Sequence, residues 1–209
     1  MTHDLVLATR NAKKLGELQR LLDEAGLDVR LRSVGEFPEV GEVAETEESF
    51  AGNAALKARA VTEATGLAAV ADDSGLCVDA LNQMPGILSA RWCGRHGDDE
   101  ANLDLVLAQI SDLPEARRGG AFVCAAALSV PDADVEDGVR VEVVEGRVSG
   151  TLLRERHGTN GFGYDPIFVP DGHERTTAQM SAAEKDAISH RGIAMRALVP
   201  LIAALVAGA

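Results

Sequence analysis

Aromatic side chains are scarce in this chain: five Phe, one Tyr and one Trp among 209 residues. A core built around a few large rings is thereby excluded. The abundance of Ala, Val and Leu points instead to small aliphatic side chains packed between regular elements. An aromatic residue standing in a loop is then conspicuous. Positive charge is also short, with 20 Lys and Arg against 33 Asp and Glu and a formal net charge of −13. Broad surfaces for nucleic acid or for an anionic membrane need clustered cations to displace counterions, so neither partner is expected. A small anionic substrate stays open, given a local cationic pocket inside the acidic envelope. Cysteine is limited to Cys77, Cys93 and Cys124, an odd number without metal-binding spacing. These read as reduced thiols of a cytoplasmic protein. The opening MTHDLVLATRN lacks the basic start and long apolar core of a signal peptide. The closing ALVPLIAALVAGA is apolar but shorter than a membrane span and contains Pro200, and it reads as a packed, locally loosened terminal helix.

What is there alternates short apolar runs with helical stripes. DLVLAT has the character of a strand and runs directly into RNAKKLGELQRLLDEAG, where Leu15, Leu18, Leu21, Leu22 and Ala25 form one stripe that Gly26 stops. After an acidic connector, Phe50, Ala54, Ala58 and Val61 mark a second helix ending at Gly66. GLAAVADDSG then reads as an apolar strand tipped by two acids, with a turn at Ser74-Gly75, giving the order strand, helix, helix, strand. NQMPG is a turn by composition, and Leu103, Val106, Leu107 and Ile110 make a further helix closed by Pro114. AFVCAAALSV and VRVEVVEGRVSGTLL follow as an antiparallel pair around a turn from Pro131 to Gly138. Ser181 and Glu184 fit a capping box, and Leu198, Leu201, Ile202 and Leu205 belong to a last helix. The fold class expected is α/β: one domain over residues 1–209, a mixed sheet flanked by helices, in two lobes.

Four polar clusters interrupt these elements. Thr9 to Lys14 (TRNAKK) lies at a strand-to-helix junction, where helix N–H groups meet a hydroxyl, an amide and two ammonium groups. That is the chemistry of a phosphate cradle, although no G-x-x-x-x-G-K-[ST] loop is present; a plain helix start with solvated lysines would read the same way. Asp72 and Asp73 point to opposite faces if the strand stays straight, so both can meet one ligand only if the Ser74-Gly75 turn rotates one of them. One acid would then do chemistry, as a Mg²⁺ ligand or water-activating base, and the other would support it. A turn in which Asp caps backbone N–H groups is the alternative. GTNGFGYDP, residues 158–166, offers close backbone approach at Gly163 and its neighbours, the rings of Phe162 and Tyr164, and Asp165 as an acceptor; a turn whose rings fill a local core would also fit. In EKDAISHRG, Lys185, His190 and Arg191 converge only if the helix breaks near Ser189; otherwise they are a solvated helix end.

Taken together, these motifs resemble the ITP/XTP pyrophosphatase family, which hydrolyses non-standard purine nucleoside triphosphates to monophosphate and pyrophosphate. The resemblance runs through LVLATRNAKKLGEL, NAALKARA, ADDSGLCVDAL, MPGILSARW, GFGYDPIFVP and AEKDAISHRG, nearly the whole chain. It implies an active site in the cleft between two lobes and a homodimer. Thr9, Arg10, Asn11, Ala12, Lys13 and Lys14 would bind phosphates. Asp73 would be the metal-linked base with Ser74 beside it on the substrate. Phe162, Gly163, Tyr164 and Asp165 would hold the purine, with Lys185, His190 and Arg191 completing the pocket. Mg²⁺ would be shared by Asp73 and a connector glutamate, Glu45 in preference to Glu39 or Glu42. The chain departs from the family pattern in having Arg10 for a glycine, Glu47 for the glycine of E-T-G and Gly52 before Asn53. It also has no proline ahead of the Gly loop.

The expected reaction is attack of a water, deprotonated by Asp73, on the α-phosphorus, with Lys14 and Lys185 neutralising phosphoryl charge. Arg191 and His190 would donate to a 6-oxo group and so reject the 6-amino group of adenine. Two alternatives share the pocket chemistry: a non-catalytic purine-nucleotide sensor, which has no need of Asp73 and its acidic connector, and a pyrophosphatase of the related Maf type.

Overall fold

The computed structural model describes residues 2–208. Six strands form one mixed sheet in the order β2-β1-β3-β4-β5-β6. The apolar run after the N-terminus becomes β1 (His3–Leu7), and the Leu stripe becomes α1 (Ala12–Glu24), which buries Leu18 and Leu22. A strand without a strong sequence signal follows, β2 (Val29–Ser33), lying parallel to β1 with Leu5 opposite Leu31. The order is therefore strand, helix, strand, helix, strand. α1 is the crossover that a parallel pair requires. α2 (Phe50–Thr65) buries Phe50, Ala54, Ala58 and Val61, and Gly66 ends it in the left-handed conformation that glycine adopts without penalty.

β3 differs from its expected form. It extends over Ala68–Val78, straight through Asp72, Asp73, Ser74 and Gly75, so there is no turn after the acids. Its first part pairs in parallel with β1, Leu7 opposite Val70. At Gly75 a Cβ would collide with the Ser89 hydroxyl and the Gly86 carbonyl, so the absent side chain lets the 86–91 turn dock against the strand. The Ser89 hydroxyl accepts there from the Leu76 N–H at 2.9 Å. α3 (Asp99–Gln109) is capped by Asp98 and ends at Ile110, ahead of Pro114. β4 (Gly119–Pro131) and β5 (Val139–Leu152) are neighbours joined by the turn that the Asp132 N–H closes onto the Gly138 carbonyl, as an antiparallel hairpin requires. β6 (Phe168–Pro170) is antiparallel to β5. α4 (Ala182–Ile188) and α5 (His190–Ala207) are separated by extended backbone at Ser189, and α5 continues through Pro200. By length and composition α5 is apolar enough to cross a membrane, yet Ala194, Met195, Leu198 and Ile202 are buried in the protein.

The contacts divide the chain into two compact units. One holds the residues up to Asp73, Ala125–Gly146 and the residues from Ile193; the other holds Ser74–Cys124 and Arg147–Gly192. Each has its own apolar cluster. In the first unit Val6, Val34, Phe37, Val61 and Ala69 pack together. In the second, Leu76, Val106, Ile110, Tyr164 and Phe168 do so. The second also buries Arg118, whose guanidinium donates to the carbonyls of Ile110, Leu152 and Leu153 at 2.6–2.8 Å. Burial lowers the pKa of that guanidinium, and three charge-assisted bonds hold the end of α3 against β5.

Candidate active site

In the first unit the site is built on the start of α1, on α2 and on β3. Asn11 caps α1: its side-chain oxygen accepts from the N–H of Lys13 at 2.9 Å and of Lys14 at 3.5 Å. Thr9 stands one step earlier, its hydroxyl accepting from the Asn11 N–H at 3.2 Å. Arg10, Asn11, Ala12 and Lys13 are exposed, whereas Lys14 is half-buried and reaches Asp72 at 2.7 Å. Because β3 does not turn, the two acids divide between its faces. Asp72 faces α1 and holds Lys14. Asp73 faces α2, where the Asn53 amide donates to it at 3.0 Å and the Lys57 ammonium stands 3.8 Å away.

The same Lys57 ammonium donates to Glu45 at 2.8 Å. One cation thus serves two carboxylates, Glu45 and Asp73. Of the three connector acids considered from the sequence, Glu45 is half-buried and faces this cation, whereas Glu39 and Glu42 are exposed. Among the described residues no three His, Cys, Asp or Glu side chains gather in a metal-binding group. Glu45 and Asp73 are the pair that could hold a divalent ion, since such an ion can take its remaining ligands from waters and phosphates. Asn53 and Lys57 were not singled out from the sequence, although one signal was available: they lie at i and i+4, both polar, on one face of a helix.

In the second unit the 158–166 loop and α4 form another cluster. Asp165, 2 % exposed, accepts from the Phe162 N–H at 2.8 Å, from the Thr177 hydroxyl at 2.8 Å and from the Lys185 ammonium. It is the anchor of the loop, with its acceptor capacity used by the protein. A Cβ at Gly161, whose φ is +78°, would run into the Asp165 carboxylate, so this turn needs glycine twice over. The Gly163 N–H donates to Asp99 on α3 at 2.9 Å. The two rings part company. Tyr164 is only 4 % exposed, packs in the core and donates its hydroxyl to the Ser89 carbonyl at 2.9 Å, and burial pushes its pKa above the ordinary tyrosine value. Phe162 is 75 % exposed, with the Lys185 ammonium 4.7 Å from its ring centre. Of the two rings, Phe162 is thus the one accessible from outside. The break at Ser189 is present and places His190 and Arg191 at the start of α5, Arg191 being buried. Ser74 is half-buried in β3.

A model of the Ham1 family matches residues 5–201. The chain belongs to the Ham1 family. Among curated relatives, a Streptomyces coelicolor protein named dITP/XTP pyrophosphatase is 58 % identical over 198 residues, 95 % of this chain and 96 % of that protein. A Corynebacterium efficiens protein of the same name is 57 % identical, covering 96 % and 98 %. Solved structures agree. A crystal structure of a nucleoside-triphosphatase / dITP/XTP pyrophosphatase from Mycobacterium abscessus is 56 % identical with TM-score 0.80, over 95 % of this chain and 99 % of that one. A Ham1-family protein from Coxiella burnetii is 38 % identical with TM-score 0.87, over 97 % and 99 %. The mixed sheet with flanking helices is thus the fold of Ham1 proteins.

Proposed function

We propose that this chain is a nucleoside triphosphate pyrophosphatase acting on dITP and XTP, and on ITP with them, releasing the monophosphate and pyrophosphate. Its role would be to clear non-standard purine nucleotides before they enter DNA or RNA. The observation that carries the reading is the Glu45–Lys57–Asp73 cluster on one face of β3 with the Lys14–Asp72 pair on the other, in a chain 58 % identical to a dITP/XTP pyrophosphatase. Acids arranged around a cation, next to cationic side chains at a helix start, match the needs of phosphoryl transfer, which is catalysed by positioning and charge rather than by covalent chemistry. A nucleotide sensor has no use for the acid pair.

Glu45 and Asp73 are the residues that would hold Mg²⁺. When bound, the ion would screen phosphate charge and lower the pKa of a water. Asp73 takes the proton of the attacking water, and Asn53 fixes the rotation of its carboxylate by donating to one oxygen. Thr9 to Lys14 receive the phosphates, with Lys14 steadied by Asp72. Ser74 adjoins the base on the same strand. Phe162 stacks on the purine, Gly163 and Asp165 shape the loop that carries it, and Lys185 neutralises charge on the phosphoryl oxygens. His190 and Arg191 donate to the 6-oxo group, and a 6-amino group would set donor against donor. Cytoplasmic location and a homodimer complete the proposal. Among the described residues Cys77, Cys93 and Cys124 form no disulfide, which supports a reducing compartment.

The test is release of pyrophosphate and orthophosphate from dITP, XTP, ITP, dGTP, dATP and a pyrimidine triphosphate, with and without Mg²⁺. Mg²⁺-dependent pyrophosphate from dITP and XTP, with little from dATP, is expected. Tight nucleotide binding without any release would make the protein a sensor instead, and preference for the pyrimidine would place it with Maf-type enzymes.

A further inference from the structure

The imidazole of His190 lies on the ring of Phe122, with centroids 5.0 Å apart and planes 14° from parallel. Phe122 comes from β4, and its ring meets that of Phe168 edge-on, at 4.6 Å and 63°. Phe168 is fully buried in the core of the same unit. The stack is therefore anchored in the core: Phe168 is locked there, Phe122 packs edge-on against it, and Phe122 presents a flat face to the imidazole. The main chain of His190 is fixed separately. Ser189 is extended, and its hydroxyl accepts from the Gly192 N–H at 2.9 Å, which caps the start of α5.

Fixing the backbone does not fix the imidazole plane, because the second side-chain torsion of histidine is broad. A hydrogen bond weakens steeply once the donor is turned away from its acceptor. The phenyl face restrains that rotation, since the imidazole lies 14° from parallel to it. We propose that Phe122 is a specificity-determining positioning residue that sets the ring plane of His190, a role that rests on the assignment of His190 to the 6-oxo group of the purine. Phe122 stands with Lys185 and His190 in the wall of one small cavity, and the role assigned to it is to hold the imidazole. It decides in which direction the imidazole N–H points, and so how well a 6-oxo purine is told from a 6-amino one.

The test is a double-mutant cycle on kcat/KM for dITP and dATP, using Phe122→Leu, His190→Ala and the pair. Phe122→Leu keeps an apolar side chain against Phe168 and removes the stack. A loss of about fivefold is expected with dITP, within the range of aromatic-pair energies, with dATP unchanged. In the His190→Ala background the same substitution should alter dITP turnover by less than about twofold. Equal losses in both backgrounds, or with both substrates, would make Phe122 a plain packing residue and overturn the proposal. If His190→Ala lowers the dITP-to-dATP ratio but Phe122→Leu does not, His190 keeps its assignment and Phe122 loses its own. If His190→Ala leaves the ratio unaltered, both fall. Phe122→Tyr retains the aromatic face and should retain the wild-type ratio. Should Phe122→Leu melt too low to assay, Phe122→Met takes its place in the cycle. Independently of activity, the carbon-bound protons of the His190 imidazole should show a ring-current shift that Phe122→Leu or Phe122→Met abolishes. Its absence from the wild-type protein would overturn the stacking itself.

Discussion

The two units handle their buried carboxylates in opposite ways. In the first, Asp72 is held by Lys14 and Asp73 by Asn53, with Lys57 shared between Asp73 and Glu45. Lys14 remains 35 % exposed, and the single Lys57 ammonium is divided between Asp73 and Glu45. In the second, Asp165 is 2 % exposed and has its oxygens taken by a main-chain N–H, a hydroxyl and an ammonium. Exchangeable ion pairs contribute little to stability and leave charge available for chemistry. A saturated buried acid does the reverse, since its charge is consumed in holding a loop. On the proposed function, the same residue type thus serves reaction in one unit and shape in the other.

Two substitutions test this contrast most sharply. Asp73→Asn should lower dITP turnover about 10³-fold, the scale of a lost general base, while the melting temperature changes little because Asn can still accept from Asn53. Asp165→Asn should do the opposite first. It leaves the Lys185 ammonium, 19 % exposed, without its counter-charge and weakens the Phe162 turn, at a cost of about 3 kcal/mol in urea unfolding. An active Asp73→Asn enzyme, or an Asp165→Asn protein of wild-type stability, would remove the distinction.

That distinction was only partly legible in the sequence. Elements set by local signals were readable: the Leu stripe of α1, the Gly66 stop of α2, and the capping box at Ser181 and Glu184, whereas the sequence left the break at Ser189 open. β2 was not, because VRLRS carries two apolar residues among charged ones and owes its place to pairing with β1. The course of β3 was misread for a similar reason. Asp-Ser-Gly has the composition of a turn, yet the strand continues because each acid meets a cation or amide on its own face of the sheet. The Lys14–Asp72 contact spans 58 residues, and local pattern carries no trace of it. Likewise Tyr164 reads as an available ring until its hydroxyl is found on Ser89, 75 residues away. Glu45 could be preferred to Glu39 and Glu42 on resemblance, but its tie to Lys57 is visible only once α2 has formed.

Arg191 extends the comparison from stability to selection. It is buried at the first turn of α5, within the unit assigned to the base. Arg191→Ala should narrow the dITP-to-dATP preference about tenfold through loss of charge-assisted donors to the 6-oxo oxygen, leaving Mg²⁺ dependence as it was. An unchanged ratio would take Arg191 out of base recognition. A changed requirement for Mg²⁺ would undo the separation of roles between the units.

The smallest effect belongs to an exposed acid on the helix that carries Lys185. Glu184 accepts from Arg175 at 2.7 Å and from the Ser181 N–H at 2.8 Å, and these partners hold its pKa at about 2 against an ordinary 4.5. The folded pKa is depressed, so the contribution is complete above about pH 4.5 and is lost as the pH falls through about 2. Glu184→Gln can still accept from Ser181 and loses only the charge toward Arg175. The melting temperature should therefore fall slightly at pH 7, and the gap from the wild-type protein should narrow below pH 4.5 and close near pH 2. A gap that persisted at pH 2 would assign the effect to the geometry of the cap rather than to its charge. In that case the start of α4, like the loop around Asp165, would be held by saturated hydrogen bonding rather than by charge.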